Sequence, residues 1–175
     1  MKPDVLTRWL GAARRERVLR VLLSDYVLNG ASCAFGMFMV SAIVHLLFGA
    51  EAAANATVGV IAALAPDLVG PRRGKLVHLV VAPLIGVPLF LAVQLLRGHP
   101  VGLGLFLVPA TFLAFLGMAW GKRGAPVAIG VMLVMLFSMS TPLAASPGQA
   151  LVRTFYCGLG CALYVVYALV AHTVL

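Results

Sequence analysis

The chain has 175 residues, of which 62% are hydrophobic and only 10% are charged, and its formal net charge is +8. Soluble domains carry about 25% charged residues, so this composition excludes a soluble globular protein and predicts an all-α, polytopic membrane protein. The cations fall in the N-terminal tail and in short turns between apolar runs. This distribution indicates contact with the lipid bilayer and its anionic headgroups, and not with nucleic acid.

Residues 1–23 form a basic segment ahead of the apolar runs and hold six of the thirteen cations. Val5, Leu6, Trp9 and Leu10 recur among them at helical spacing. This pattern favours a cytoplasmic amphipathic helix on the inner leaflet. A solvated, partly frayed tail is the alternative.

Residues 24–175 contain six apolar runs, which predict one domain of six transmembrane helices. The predicted spans lie at about residues 27–48, 53–68, 75–96, 101–120, 125–140 and 151–175. The second and fifth are short and occupy matching places in two three-helix halves. This pairing suggests a three-plus-three inverted repeat of the kind found in transporters.

The cations divide unequally between the two sides of such a bundle. Six lie in the tail, three in the second connection and two in the fourth, whereas Arg97 and Arg153 are assigned to the other loops. Short loops rich in Lys and Arg remain on the cytoplasmic side. We therefore predict that both termini are cytoplasmic.

A cationic turn opens the third span and is the predicted substrate-binding site. It contributes Arg72, Arg73, Lys75 and His78. Arginine can hold a carboxylate through two hydrogen bonds, and a helix N-terminus adds positive partial charge. An organic anion arriving from the cytoplasm would meet all of these groups. Alternatively, the turn only sets topology and binds lipid headgroups.

Three further positions carry candidate roles. Asp67 either pairs with a neighbouring arginine or takes up protons as a coupling acid. His45, near the end of the first span, is either an interfacial residue or part of a proton relay. Lys122 and Arg123 form a secondary basic turn between the fourth and fifth spans.

Motifs of enzymatic or metal chemistry are missing from the sequence. It contains no HExxH, no G-x-S-x-G and no P-loop. Cys33, Cys157 and Cys161 lie in apolar runs, and the last two have a spacing that does not suit a disulfide. We interpret them as small buried apolar residues and predict a protein that is not an enzyme and has no metal or cofactor.

Two long runs carry a resemblance to a known family. They read NATVGVIAALAPDLVGPRRGKLVHLVVAPLIGVPLFLAVQL and LFLVPATFLAFLGMAWGKRGAPVAIGVMLVMLFSM. Their basic turns and flanking spans resemble the N-terminal membrane half of the fusaric acid resistance (FUSC) family, which includes YccS-like proteins and aromatic acid exporters. The resemblance implies a bacterial inner-membrane protein that exports aromatic or other organic carboxylates, with proton coupling as one driving force.

The resemblance leaves several alternatives open. Plant aluminium-activated malate channels are more distant relatives, so a passive anion channel is one alternative. A non-transporting membrane subunit or assembly anchor for a partner protein is another. Many relatives are longer, so the chain is either a fragment or a half-unit that pairs with a copy or a partner half-transporter. The small-residue pairs Ser32/Gly36 and Gly117/Gly121 favour a homo-oligomer, most simply a two-fold dimer.

Overall fold

A computed structural model of the protein describes residues 24–66, 72–121 and 124–174, and every regular element within them is an α-helix. The all-α prediction is therefore confirmed for these residues. The amphipathic helix predicted over residues 1–23 lies outside them. The helices are α1 (Asp25–Phe48), α2 (Ala50–Leu64), α3 (Arg72–Leu96), α4 (Pro100–Met118), α5 (Gly124–Ser140) and α6 (Pro147–Val174).

Four of these six helices are long and apolar enough to cross a membrane. Within the described residues they are α1, α3, α4 and α6. The helices α2 and α5 have only 15 and 17 residues. At a rise of 1.5 Å per residue they are about 22 and 26 Å long, less than the roughly 30 Å of a hydrocarbon core. The second and fifth spans are thus short, as predicted, while six full crossings and cytoplasmic termini remain predictions.

Gly49 alone connects α1 to α2. Its φ of 87° and ψ of −179° lie in a region that is essentially restricted to glycine. The chain reverses its direction at this turn. As a result, the hydroxyl groups of Ser41 in α1 and Thr57 in α2 lie 2.8 Å apart. The second helix consequently begins at Ala50, earlier than predicted. Glu51, which falls between the predicted spans at 27–48 and 53–68, lies in the first turn of this helix.

The centre of the bundle is built on α2, of whose fifteen residues nine are buried. It runs parallel to α6, and glycines bring the two backbones together. A Cβ atom on Gly59 would overlap the carbonyl oxygen of Cys157, and one on Gly160 would overlap that of Ala56. The Cys161 thiol donates a hydrogen bond to the Gly59 carbonyl oxygen at 3.0 Å. All three cysteines are buried, as the sequence predicted, and none of them forms a disulfide.

The helices α3 and α5 form a second parallel pair that packs against the first. Gly130 of α5 lies against the carbonyl oxygen of Ala62 in α2, where a Cβ would be 3.0 Å away. Around this core, α1 packs on α2 and α6, and α4 packs on α5 and α3. If α1, α2 and α3 are matched with α4, α5 and α6, each of these helix contacts has an equivalent in the other half, which is the pattern of an inverted repeat. Within the described residues, only the contact of α2 with α3 lacks its counterpart.

One of the two small-residue pairs that suggested an oligomer, Ser32/Gly36, is occupied within the chain. The Tyr167 hydroxyl donates to the Ser32 carbonyl oxygen at 2.9 Å and lies 3.1 Å from the Ser32 hydroxyl. Gly36 is buried beneath the rings of Tyr164 and Tyr167. Gly117 lies against the start of α5 in the α4–α5 turn. The prediction of an oligomer is untested, but the Ser32/Gly36 pair no longer supports it.

Candidate functional site

Buried polar side chains form one layer near the end of the bundle where Gly49 lies. In the described part of the chain these are Asn55 of α2, Gln94 of α3, Ser138 of α5, and Arg153 and Thr154 of α6. Each lies three or four residues from a member of a single apolar cluster that contains Val58, Phe90, Val134 and Cys157. Residues with this spacing share one helix face. The five side chains therefore stack as a polar layer on the apolar core.

Arg153 is the charged member of the polar layer and is only 5% exposed. Its Nε and Nη2 groups donate to Oε1 of Glu51 at 3.0 and 2.8 Å. Its Nη1 group donates to the carbonyl oxygen of Pro142 at 2.5 Å. One guanidinium thus joins α6 to the first turn of α2 and to the α5–α6 connection.

Arg97 and Gln94 hold the same connection from the end of α3. The Gln94 amide donates to the carbonyl oxygen of Ser138 at 3.1 Å and to the hydroxyl of Thr141 at 2.5 Å. Arg97 donates to the carbonyl oxygen of Thr141 and, at 3.5 Å, to that of Ser138. Two arginines therefore close the bundle at this end.

Two amide oxygens in the polar layer have no hydrogen-bond donor. They are Oδ1 of Asn55 and Oε1 of Gln94, and both side chains are 3% exposed. A buried acceptor without a donor costs about 1–3 kcal/mol. The layer therefore has unused capacity to accept hydrogen bonds from a ligand or from water.

The Glu51–Arg153 pair is demanding in energy as well as in geometry. Arg153 is buried while the Glu51 side chain is exposed, so loss of Glu51 would leave a buried cation without a counter-ion, which is strongly unfavourable. Ionisable groups inside a membrane domain are rare and mark functional sites by default. These two side chains, with the polar layer, are the site that the structure adds to the sequence analysis.

Sequence reasoning missed this site because Arg153 was counted with the outer loops in the charge balance, although the predicted span at residues 151–175 contains it. The helix α6 begins at Pro147, with proline in a position favoured at the first turn, so Arg153 lies inside the helix. One signal was available: Arg153 follows Ala150, Leu151 and Val152 directly and precedes an apolar run. A single cation in such a surrounding needs a counter-ion.

The predicted substrate-binding residues lie at the opposite end of the bundle. Arg72, Arg73 and Lys75 occupy the first turn of α3, and His78 follows in the next. The structure describes the helical backbone of these four residues but not their side chains. Arg72 and Gln94 are 22 positions apart in one helix, which corresponds to about 33 Å. The basic turn and the polar layer are therefore separate sites.

Of the remaining candidates, the structure describes His45. Asp67, Lys122 and Arg123 lie outside the described residues. His45 is exposed in the last turn of α1, at the same end of the bundle as Glu51. Its role in proton coupling stays a prediction.

Apart from the polar layer, a groove lies between α4 and α5, and its lining is almost entirely apolar. Its walls are formed by Leu107, Thr111, Phe115, Ile129, Met132, Leu133, Met135, Leu136 and Met139. This α4–α5 groove lies on the outside of the bundle, since α4 contributes few buried residues. Its chemistry fits a lipid chain or another helix and not an anion.

Comparison with known proteins gives one family. The family model described as FUSC-like inner membrane protein yccS matches residues 84–175, which is more than half of the chain. The match covers Gln94, Arg97, Ser138 and Arg153, whereas Glu51 precedes it. It also confirms the resemblance found in the sequence. No curated protein and no solved structure matches the chain.

Proposed function

The chain belongs to the FUSC-like family and is a multi-pass inner-membrane protein, and on that premise we propose that it exports organic carboxylate anions, including aromatic ones. Membership in this family makes it a protein related to membrane transport. The substrate class and the outward direction are our proposal. The observation that carries it is Arg153, a cation buried in the polar layer.

The positions of the cations support a path for anions. At the cytoplasmic entrance, Arg72, Arg73, Lys75 and His78 are proposed to collect a carboxylate at the start of α3, where the helix N-terminus adds positive partial charge. Lys122 and Arg123 add charge on the same side. At the other end Arg153 offers a guanidinium of the kind that binds carboxylates.

Coupling to protons is proposed for two residues. Asp67 precedes the basic turn in the sequence, and His45 lies in the last turn of α1. A carboxylate and an imidazole are side chains that can bind and release protons. A proton gradient would then drive the anion outwards.

Transport in inverted inner-membrane vesicles tests this function. Vesicles containing the protein should accumulate radiolabelled benzoate faster than vesicles without it, and a protonophore should abolish the accumulation. Equilibration that persists with the protonophore would identify a passive anion channel. Equal uptake in both kinds of vesicle would contradict transport of this anion.

The α4–α5 groove favours a second candidate function. A groove of this chemistry on an exposed helix suits a helix of a second copy or of a partner half-transporter. In this alternative the chain is a non-transporting anchor or assembly module. It predicts that benzoate uptake is absent while a Thr111→Leu/Leu136→Trp variant, which fills the groove from its exposed side, loses self-association in detergent. The homo-oligomer itself is a proposal, and measuring the native mass of the protein in detergent tests it.

A further inference from the structure

Glu51 and Arg153 form one ion pair but are buried to very different degrees. The Arg153 side chain is 6% exposed, whereas the Glu51 side chain is 65% exposed. If the pair opens, Glu51 regains polar surroundings while Arg153 stays enclosed. A buried cation without a counter-ion is strongly unfavourable. Opening is therefore favoured when another anion replaces Glu51.

A free carboxylate can reproduce the bonds that Glu51 makes. One oxygen of Glu51 accepts from both Nε and Nη2 of Arg153. The carboxylate of a separate molecule can accept from the same two groups, because this fork is the usual geometry of arginine–carboxylate recognition. Exchange leaves the charge and the hydrogen bonds of the guanidinium unchanged. The outcome then depends on ligand concentration and on the fit of the rest of the ligand.

The polar layer offers further bonds to such a ligand. The amide oxygens of Asn55 and Gln94 have no donor and are almost fully buried. They favour a molecule that brings hydrogen-bond donors, either its own or those of its water. A purely apolar occupant would leave both oxygens unpaired.

We propose that Arg153 binds the carboxylate group of an organic anion, and that Glu51 is the internal carboxylate that occupies this site in the absence of ligand. The inference rests on the proposed function, because it takes its ligand from the anions that the protein exports. Arg153 also holds Pro142, so exchange at its guanidinium couples ligand binding to the α5–α6 connection. Glu51 and Arg153 thereby act as the gate at the Gly49 end.

Equilibrium binding of radiolabelled benzoate to the full chain in detergent tests the site. Glu51→Ala removes the internal competitor and should bind benzoate about ten- to hundredfold more tightly than the wild type. Glu51→Gln, which keeps the size of the side chain, should change binding in the same direction and serves if Glu51→Ala does not fold. Unlabelled benzamide, which lacks the charge, should not compete.

The double variant Glu51→Ala/Arg153→Met is the matched control. It removes both charges, so that no buried cation is left without a counter-ion; the variant should therefore fold and should lose the gain in affinity. Tight binding in the double variant, or no gain in Glu51→Ala and Glu51→Gln, would overturn the proposal. Inorganic phosphate that competes more strongly than acetate would also overturn it, because the site would then suit phosphate headgroups.

The outcomes separate this site from the proposed function. Benzoate transport by wild-type vesicles, without tighter binding in the Glu51 variants, retains export and rejects the site. Tight binding that depends on Arg153, without transport, retains the site and rejects export.

Discussion

Gly160 of α6 lies against the carbonyl group of Ala56 in α2, with no room between them for a Cβ atom. The same is true of Gly59 and the carbonyl group of Cys157. These two approaches fix the distance between α2 and α6, and with it the position of Glu51 relative to Arg153.

Gly160→Ala should therefore destabilise the protein by about 1–3 kcal/mol or more, because the two backbones must move apart. Gly30→Ala is the matched control, since nothing lies within 4 Å of its added Cβ. Alanine in a helix is favoured over glycine by about 0.5–1 kcal/mol, so the control should be neutral or stabilising. Thermal unfolding in detergent measures both, and equal midpoints would contradict the close packing of α2 on α6.

The bond from Tyr167 to the Ser32 carbonyl oxygen should contribute more than the contact between their hydroxyl groups. Tyr167→Phe removes both and should cost about 0.5–1.5 kcal/mol. Ser32→Ala keeps the bond to the carbonyl oxygen and should cost less. The comparison again uses thermal unfolding. A larger loss in Ser32→Ala would show that the Ser32 hydroxyl, and not its backbone, holds Tyr167.

Labelling of single introduced cysteines tests the orientation in the membrane. Ser146→Cys, in the α5–α6 connection, should react with an impermeant reagent from the periplasm, because that connection lies opposite the basic turns. Ala119→Cys, after α4, should react only when the membrane is permeabilised. Both sites are exposed, and the three native cysteines are buried, so the background should be low. The opposite pattern would reverse the proposed direction of export.

Substitutions of Arg73 test the entrance. If the basic turn binds a carboxylate, Arg73→Gln should lower the apparent affinity for benzoate in transport about ten- to hundredfold, because a charge-assisted bond is lost. Arg73→Lys keeps the charge without the planar fork and should give an intermediate affinity. If the turn only sets topology, both variants should transport like the wild type. Cysteine labelling confirms that their orientation is unchanged.

Hydropathy was sufficient to predict the helices, because a membrane helix must be apolar along most of its length. It also indicated that the second and fifth spans are short. The beginning of α2 was missed, since a one-residue turn at Gly49 leaves no polar loop in the sequence. Glu51 was therefore assigned to a connection and not to a helix.

The polar layer could not be derived from the sequence for a different reason. Arg153 and Glu51 are 102 residues apart, and their meeting depends on the parallel packing of α2 and α6. That packing follows from Gly59 and Gly160, whose role is visible only when the two helices are placed together. The basic turn, by contrast, is a local pattern, which is why the sequence suggested it first.

The length of α2 has a consequence for how the protein enters the membrane. A helix of 15 residues cannot cover the hydrocarbon thickness on its own, and it contains Asn55. We expect that α2 does not partition into the bilayer as an independent segment during synthesis. It would enter as the second arm of a hairpin whose first arm is α1 and whose tip is Gly49. A loop of polar residues inserted at Gly49 would separate the two arms, and α2 would then remain at the membrane surface. The one-residue connection at Gly49 is therefore needed for membrane insertion of α2.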